Sequence, residues 1–533
     1  AIAVGEGRIV AAGTLAEVEA VAGRGTRRLA LDGGSVVLPA LTDAHLHLTD
    51  AALMARQVDL NGLAAGPALA RLADVHRRRV AAGDETSWLV GLGWSTDAFG
   101  HWPRAAELDR IAPGRPIALW SHDLHSRWVS SAALAAAGLL ASGVGDPPGG
   151  VIERDADGTP SGLLLEHAAG LVDGSIPAPT DEQIGPALEA YAGRLASLGI
   201  VACHDPGELA PDPAALRGPA LYGRLAAGGR LPLRVHGSVR VDQLELAIEH
   251  GLRTGAGVAP DRVGDSPASR SADRARVGWL KIFADGSLGS RSAALFAPYA
   301  GGDGRGRLLV DRHELLRLVG RAAAAGIVPQ IHAIGDRAVR LALDVLEATP
   351  AARTGPAWSR VEHVQLALDV DADRFARLRV AASVQPAHLL HDAPVARAAW
   401  PRRLAHAYRW RSLADGGAPL AFGTDAPVES PDPWPGIAVA VTRRRASERR
   451  PFPGQETLDL ARALRAAIVD PVLIAGEAAV GGRLLPGHRA DLIVVPAEAL
   501  EAPVGPEGPL ATCRPRLTLL DGEEVARSAD FAG

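Results

Sequence analysis

The chain of 533 residues is 47% hydrophobic and 22% charged with a formal net charge of −5, which allows a large core and more than one domain. Its arginines are scattered or, as at Arg443, Arg444, Arg445, Arg449 and Arg450, read as a solvated helix face, which excludes a nucleic-acid footprint. Two distant cysteines, Cys203 and Cys513, exclude a disulfide framework and a cysteine-built zinc site, and the apolar runs are broken well before a bilayer's length.

The chain opens on the strand-like AIAVGEGRIVAAG, without a charged segment leading into an apolar one. A cytoplasmic location is expected, with a small-molecule substrate as partner, no nucleic acid and no membrane; a homodimer is left open. The opening GEGRIVAAG and the closing GRLLPGHRADLIVVP and PRLTLLDGEEVARS read as short strands joined by glycine turns. They are expected to pair into one β-domain built from residues 1–38 and 470–533.

VVLPALTDAHLHL follows as a first buried strand. Read as a strand, it puts His45 and His47 on one face, with Ala44, Leu46 and Leu48 on the other. Residues 50–180 are too long for a simple strand-to-helix connection and form a tryptophan-rich insertion expected near the mouth of the fold. From residue 180 onward, helical periods alternate with short β-branched runs: GIVACHD (199–205), LPLRVHGSV (231–239), VGWLKIFADG (277–286), GIVPQIHA (326–333), SRVEHV (359–364), VAASVQ (380–385) and APLAFGTDA (418–426). A proline- and serine-rich stretch at 259–273 reads as a loop. Eight strands with intervening helices predict an α/β fold, a (β/α)8 barrel over residues 39–469, whose strand ends converge on one site at the C-terminal face.

Those strand ends carry the chemistry. Lys281 lies inside an apolar run on the face of Trp279 and Phe283, where an ammonium is costly unless paired or neutralised. His332 ends one strand, His363 the next, and Asp425 the last. One such residue alone reads as structural. Together, His45, His47, Lys281, His332, His363 and Asp425 are nitrogen and oxygen donors at equivalent positions, and they point to a divalent metal.

The succession LPALTDAHLHL, KIFADGSLGSRSAAL, QIHAIGDRAV, RVEHVQ, FGTDAPVESP and PGHRADLIVV resembles the amidohydrolase superfamily, in the branch called amidohydrolase family 3 or YtcJ-like. The resemblance runs nearly the whole length. It implies a TIM-like barrel with a composite β-sandwich. It further implies that His45, His47 and Asp425 hold a more buried ion and His332 and His363 a more exposed one, with a carbamate on Lys281 between them. Zinc, as one or two ions, is the expected cofactor.

A divalent cation lowers the pKa of its water from about 15.7 to about 7 and polarises a carbonyl. Asp425 is the expected base, relaying a proton to the leaving nitrogen. The expected reaction is hydrolysis of a non-peptide carbon–nitrogen bond in an amide, formamide, carbamate or cyclic amide. Deamination stands second, because the residues after His332 are AIGDRA, without the glutamate that deaminases of the superfamily commonly carry. An isomerase of the same fold, or an inactive binding or regulatory protein, completes the alternatives. Asp285, Arg291, Gln385, His388, Trp94 and Trp102 are the candidate substrate-binding residues. His204 and Asp205 are read as partners of the ligands.

Overall fold

A computed structural model describes residues 1–122, 125–207, 217–258, 271–529 and 531. Of the stretch 259–273, residues 259–270 lie outside the described residues. The strands in chain order are β1 (Ile2–Gly5), β2 (Arg8–Ala12), β3 (Ser35–Pro39) and β4 (Leu41–Asp43). They are followed by β5 (Val58–Asp59), β6 (Leu89–Trp94), β7 (Ile117–Ser121), β8 (Ser126–Val129), β9 (Gly150–Arg154) and β10 (Pro160–Glu166). Next come β11 (Ile200–Asp205), β12 (Arg234–Arg240), β13 (Ala275–Phe283), β14 (Pro329–Ala333), β15 (Ser359–His363), β16 (Val380–Val384) and β17 (Leu420–Phe422). The last three are β18 (Leu492–Pro496), β19 (Leu517–Leu520) and β20 (Glu523–Arg527).

Strands β4 and β11 through β17 form one eight-stranded sheet, parallel at every pairing, in the order β17-β16-β15-β14-β13-β12-β11-β4. This is the α/β barrel expected from the alternating pattern. Its first and last strands meet just past their ends: Ala44 N–H donates to Phe422 O at 2.9 Å, Asp425 N–H to His45 O at 2.6 Å, and His47 N–H to Ala426 O at 2.9 Å. Asp43 locks the seam, accepting from the backbone N–H groups of His45 and Thr424 at 3.0 Å each and from the Thr424 hydroxyl. An added Cβ at Gly423 would come within 2.5 Å of His45, so only glycine allows this approach.

Helices between the strands carry apolar faces toward the sheet. The helix Asp336–Ala348 buries Val339, Leu343 and Leu346 among others, at the helical spacing. The helix Leu460–Ile474 packs against β4 and β17, so the expected boundary at residue 470 falls inside a helix that belongs to the barrel wall.

Both chain ends join in a four-stranded antiparallel sheet, order β20-β19-β18-β3, while β1 and β2 form a separate hairpin. That hairpin is tied to the carboxyl-terminal segment through Ile9 N–H to His488 O at 2.8 Å and Ala490 N–H to Gly7 O at 2.9 Å. The chain divides into two compact units, Ala1–Ala52 with Leu188–Gly533, and Leu53–Ala187. The second unit has its own six-stranded mixed sheet, order β5-β6-β7-β8-β10-β9, over a core that includes Leu72, Trp94, Leu108 and Trp128. Among the described residues, no helix is long and apolar enough to cross a membrane.

Candidate metal centre

His45 and His47 lie just beyond β4, not within it as the sequence pattern suggested, because strand pairing ends at Asp43 and the backbone turns along the seam. Each ring is held through Nδ1. His45 Nδ1 donates to Glu362 Oε2, and His47 Nδ1 donates to Gly207 O at 2.6 Å. Gly207 is itself fixed by its N–H to Asp205 Oδ1 at 2.9 Å, with the Tyr222 hydroxyl on the other oxygen. Both Nε2 atoms therefore face one point, 3.4 and 3.5 Å from Asp425 Oδ1.

The other donors arrive from successive strand ends. Lys281, on β13, sets Nζ 3.5 Å from His45 Nε2 and 4.7 Å from the centre of the Phe283 ring. His332 on β14 and His363 on β15 have ring centres 4.5 Å apart. At His363 (φ 70°), Val364 (φ 46°) and Asp425 (φ 61°) the backbone enters the left-handed region. Such geometry is uncommon for these residue types and gathers at functional sites. It turns His363 into the site although Glu362, its neighbour in sequence, also points inward.

Among the described residues, two sets of donor atoms each lie within 4.8 Å of one another: those of His45, His47 and Asp425, and those of His363, His388 and Asp425. The second includes His388, expected at the substrate, in the place given to His332. His332 Nε2 instead faces Gly286 O at 3.2 Å and Asp285 Oδ1 at 3.6 Å. His388 opens the helix His388–Ala399, with Nε2 3.2 Å from Asp425 Oδ2 and Nδ1 3.8 Å from Glu429 Oε1.

Burial sets the electrostatics. It pushes His45 down to about 4 and His332 down to about 3, assisted by the nearby Lys281 charge, and it holds His363 well below the usual imidazole range. These rings are neutral at pH 7, the form that binds metal. Burial likewise lowers Lys281 to about 8. Burial alone would raise Asp425, but His45, His388 and His47 around it hold the carboxyl well below its ordinary value. His363 Nδ1 is buried without a hydrogen-bond partner among the described residues. His388 Nε2 is likewise without a hydrogen bond of good geometry, and buried imidazoles converging on one carboxylate with two ring nitrogens left unpaired among the described residues are a donor set suited to a divalent cation.

The candidate substrate residues separate. Asp285 is wholly buried and accepts backbone N–H groups from Ala294 at 2.8 Å, Ile334 at 3.0 Å and Gly335 at 2.9 Å, so it fastens the loop after β13 instead of facing substrate. Trp94 is a core residue of the second unit, donating its indole N–H to Leu119 O at 2.8 Å, because the aromatic run packs on Phe99 and Trp128. Trp102 is 54% exposed in the same unit, edge-on to Trp94. Arg291 is exposed, at φ 52°. Gln385, just past β16, has both side-chain amide atoms buried and unpaired among the described residues.

Sequence reasoning missed Glu362 and Arg360, although a charged pair two residues apart in the apolar strand SRVEHV was the available signal. It also missed that Lys281 is the chain's single lysine, every other basic residue of this kind being arginine.

The parallel barrel gathers histidine and aspartate donors at its C-terminal strand ends, where they could hold a divalent cation. The model of the Amidohydrolase family matches residues 33–526. The "Putative amidohydrolase YtcJ" of Bacillus subtilis (strain 168) is 31% identical over 481 residues, covering 88% of this chain and 85% of that protein. The N-substituted formamide deformylase of Arthrobacter pascens is 27% identical, covering 98% and 94%. A crystal structure of an uncharacterized metal-dependent hydrolase from Pyrococcus horikoshii OT3 matches with a TM-score of 0.72 at 26% identity, covering 92% of each chain. The chain belongs to the amidohydrolase family, and metal-dependent hydrolases are among its structural relatives.

Proposed function

We propose that the protein hydrolyses a carbon–nitrogen bond outside peptides, in an amide, formamide, carbamate or cyclic amide, with one or two zinc ions. The observation that carries this reading is the division of labour at Asp425. Its Oδ1 faces the Nε2 atoms of His45 and His47, while Oδ2 faces His388 at 3.2 Å. One oxygen is placed to hold metal and the other to handle a proton.

When bound, a divalent cation supplies a Lewis acid that polarises the scissile carbonyl and acidifies water. His45, His47 and Asp425 would hold it, with His363 and either His388 or His332 available to a second ion. Asp425 Oδ2 takes the proton released as water adds to the carbonyl carbon, then returns it to the leaving nitrogen as the carbon–nitrogen bond breaks. His388, 3.2 Å away, would steady that oxygen by its charge when protonated. In this reading Gln385, whose buried amide lacks a partner among the described residues, would pair with a substrate amide, and Arg291 would meet an acidic group on the substrate.

Lys281 is read as the site of a carbamate. At about 8, its amine is partly neutral near pH 7 to 8 and so able to add carbon dioxide. Among the described residues, no carboxylate lies within ion-pair distance of Nζ, while the resulting anion would sit beside His45. A chain that uses arginine everywhere else keeps lysine here, and a guanidinium cannot perform that addition.

The deformylase relative supports the choice of bond, since its name states such a reaction. The test is metal analysis by plasma mass spectrometry on untagged protein, followed by a screen of N-substituted formamides, N-acyl amines and carbamates. One to two equivalents of zinc and amine release from one of these classes are expected. Bound metal with turnover only of ring amines would replace this reading by deamination.

A further inference from the structure

Parallel barrels ordinarily fill their interior with branched apolar side chains. Here a polar column stands beneath the metal centre. Glu362, Arg360 and His204 are at most 1% exposed. Glu362 accepts from His45 Nδ1 through Oε2 and from Arg360 Nε through Oε1, the latter at 2.5 Å. The same guanidinium donates to His204 Nδ1 at 2.9 Å, to Ser383 Oγ at 2.7 Å and to Ala44 O, and it lies 4.7 Å from the centre of the Trp279 ring. From β15, one side chain thus touches β11, β13, β16 and the segment that leads into His45.

We propose that Arg360 and Glu362 are positioning residues of the metal centre, fixing His45 with its proton on Nδ1 and the Nε2 lone pair turned toward the Asp425 cluster. The inference rests on the metal reading above. Two physical arguments carry it.

First, a neutral imidazole has one proton to place, and an acceptor on Nδ1 decides where it goes. A carboxylate accepts more strongly than the neutral carbonyl that holds His47. Arg360 in turn keeps Glu362 from rotating, because Nε and the terminal nitrogens are engaged at fixed angles on several strands. Second, a buried ion pair is a poor source of stability. Well-packed apolar residues of similar volume are often neutral or stabilising in its place. Stability alone therefore gives little reason for an arginine–glutamate pair in the barrel interior, whereas orientation of a ligand does.

The experiment compares the full chain, stripped of metal and titrated with zinc against a competing chelator, with two double variants. Arg360→Met/Glu362→Gln removes the charges and keeps a neutral acceptor for His45. Arg360→Met/Glu362→Leu removes the acceptor as well. Zinc affinity should fall roughly 10–100-fold in the leucine variant, with the glutamine variant between it and wild type. The metal-free melting temperatures should stay at or above wild type. Both variants holding zinc within about twofold of wild type would overturn the proposal.

A second measurement reads the proton position in the wild-type protein itself. Long-range nitrogen–proton NMR on histidine-labelled, metal-free wild type, with the His45 signal assigned by its loss in His45→Gln, should show the proton on Nδ1. A proton on Nε2 would overturn the assignment. If wild type itself takes up no zinc, the metal reading fails with it; if wild type binds and the variants bind equally, only the positioning role fails.

Discussion

Asp425 and Lys281 are the residues whose surroundings make the sharpest demands. Asp425→Asn removes the proton acceptor while keeping its shape, so turnover by the zinc-loaded protein should fall about 10²–10⁴-fold with the melting curve retained. Activity near wild type in a metal-loaded sample would remove Asp425 as the base. Lys281→Ala should bind zinc more weakly, and short carboxylic acids should restore part of the binding by supplying the missing anionic oxygens. Lys281→Arg should not, since its guanidinium stays charged at every accessible pH. Retention of full metal content by Lys281→Ala would exclude a bridging role. Asp285 and Trp94 teach the opposite lesson at this scale. Their types and neighbourhoods in sequence suit a substrate pocket, yet three backbone N–H groups claim one and an aromatic core the other.

At the scale of elements, the decisive feature is the seam between β4 and β17. It brings the segment after the first strand and the segment after the last together, so that His45, His47 and Asp425 are joined by backbone hydrogen bonds before any ligand arrives. Gly423 permits the approach. Gly423→Ala would press a methyl group within 2.5 Å of the His45 backbone and Cβ. Overpacking of this kind typically costs about 1–3 kcal/mol, and the displaced ring should weaken zinc binding by about tenfold or more. The two readouts are a melting curve and a chelator competition. Wild-type values in both would mean that the seam has slack that the close contact conceals. The eight barrel strands were legible because β-branched runs alternate with helical periods, but their ends were not. Strand pairing stops at Asp43 and Phe422, and His45, His47 and Asp425 lie in the irregular backbone beyond.

At the scale of the whole molecule, partly buried ion pairs fasten the carboxyl-terminal segment to the barrel. Glu477 lies 2.9 Å from Arg276 Nε on β13 and 2.8 Å from Arg489 NH1, and Arg234 on β12 pairs with Asp491 at 2.9 Å. Burial pushes the Glu477 carboxyl up, and His236, Arg489 and Arg276 outweigh it, holding the group far below the usual carboxylate range. A carboxyl depressed on folding contributes stability that is complete above its unfolded value and lost as pH falls below it. Glu477→Gln should therefore destabilise by about 1–3 kcal/mol at pH 7, the cost of removing one partner from partly buried cations. The gap to wild type should begin to narrow as pH falls below about 5, where the carboxyl of the unfolded chain takes up its proton, and should go on narrowing toward the depressed value of the folded state. Melting temperatures across that range decide it; a gap that stays constant would mean that the ion pairs do not couple the two regions.

The sequence by itself determined the barrel and the residue types that line its C-terminal strand ends. Periodicity is local, and histidine, lysine and aspartate at the ends of apolar runs are too costly to bury without a purpose. Only the tertiary structure decided which donors share a point. It placed His388 beside Asp425 and turned His332 toward Gly286, and it ran Arg360 and Glu362 beneath His45. These contacts join residues up to 317 positions apart. They depend on how strand ends bend, on φ at His363 and Asp425, and on which nitrogen of each ring a distant acceptor claims, none of which is encoded in spacing along the chain.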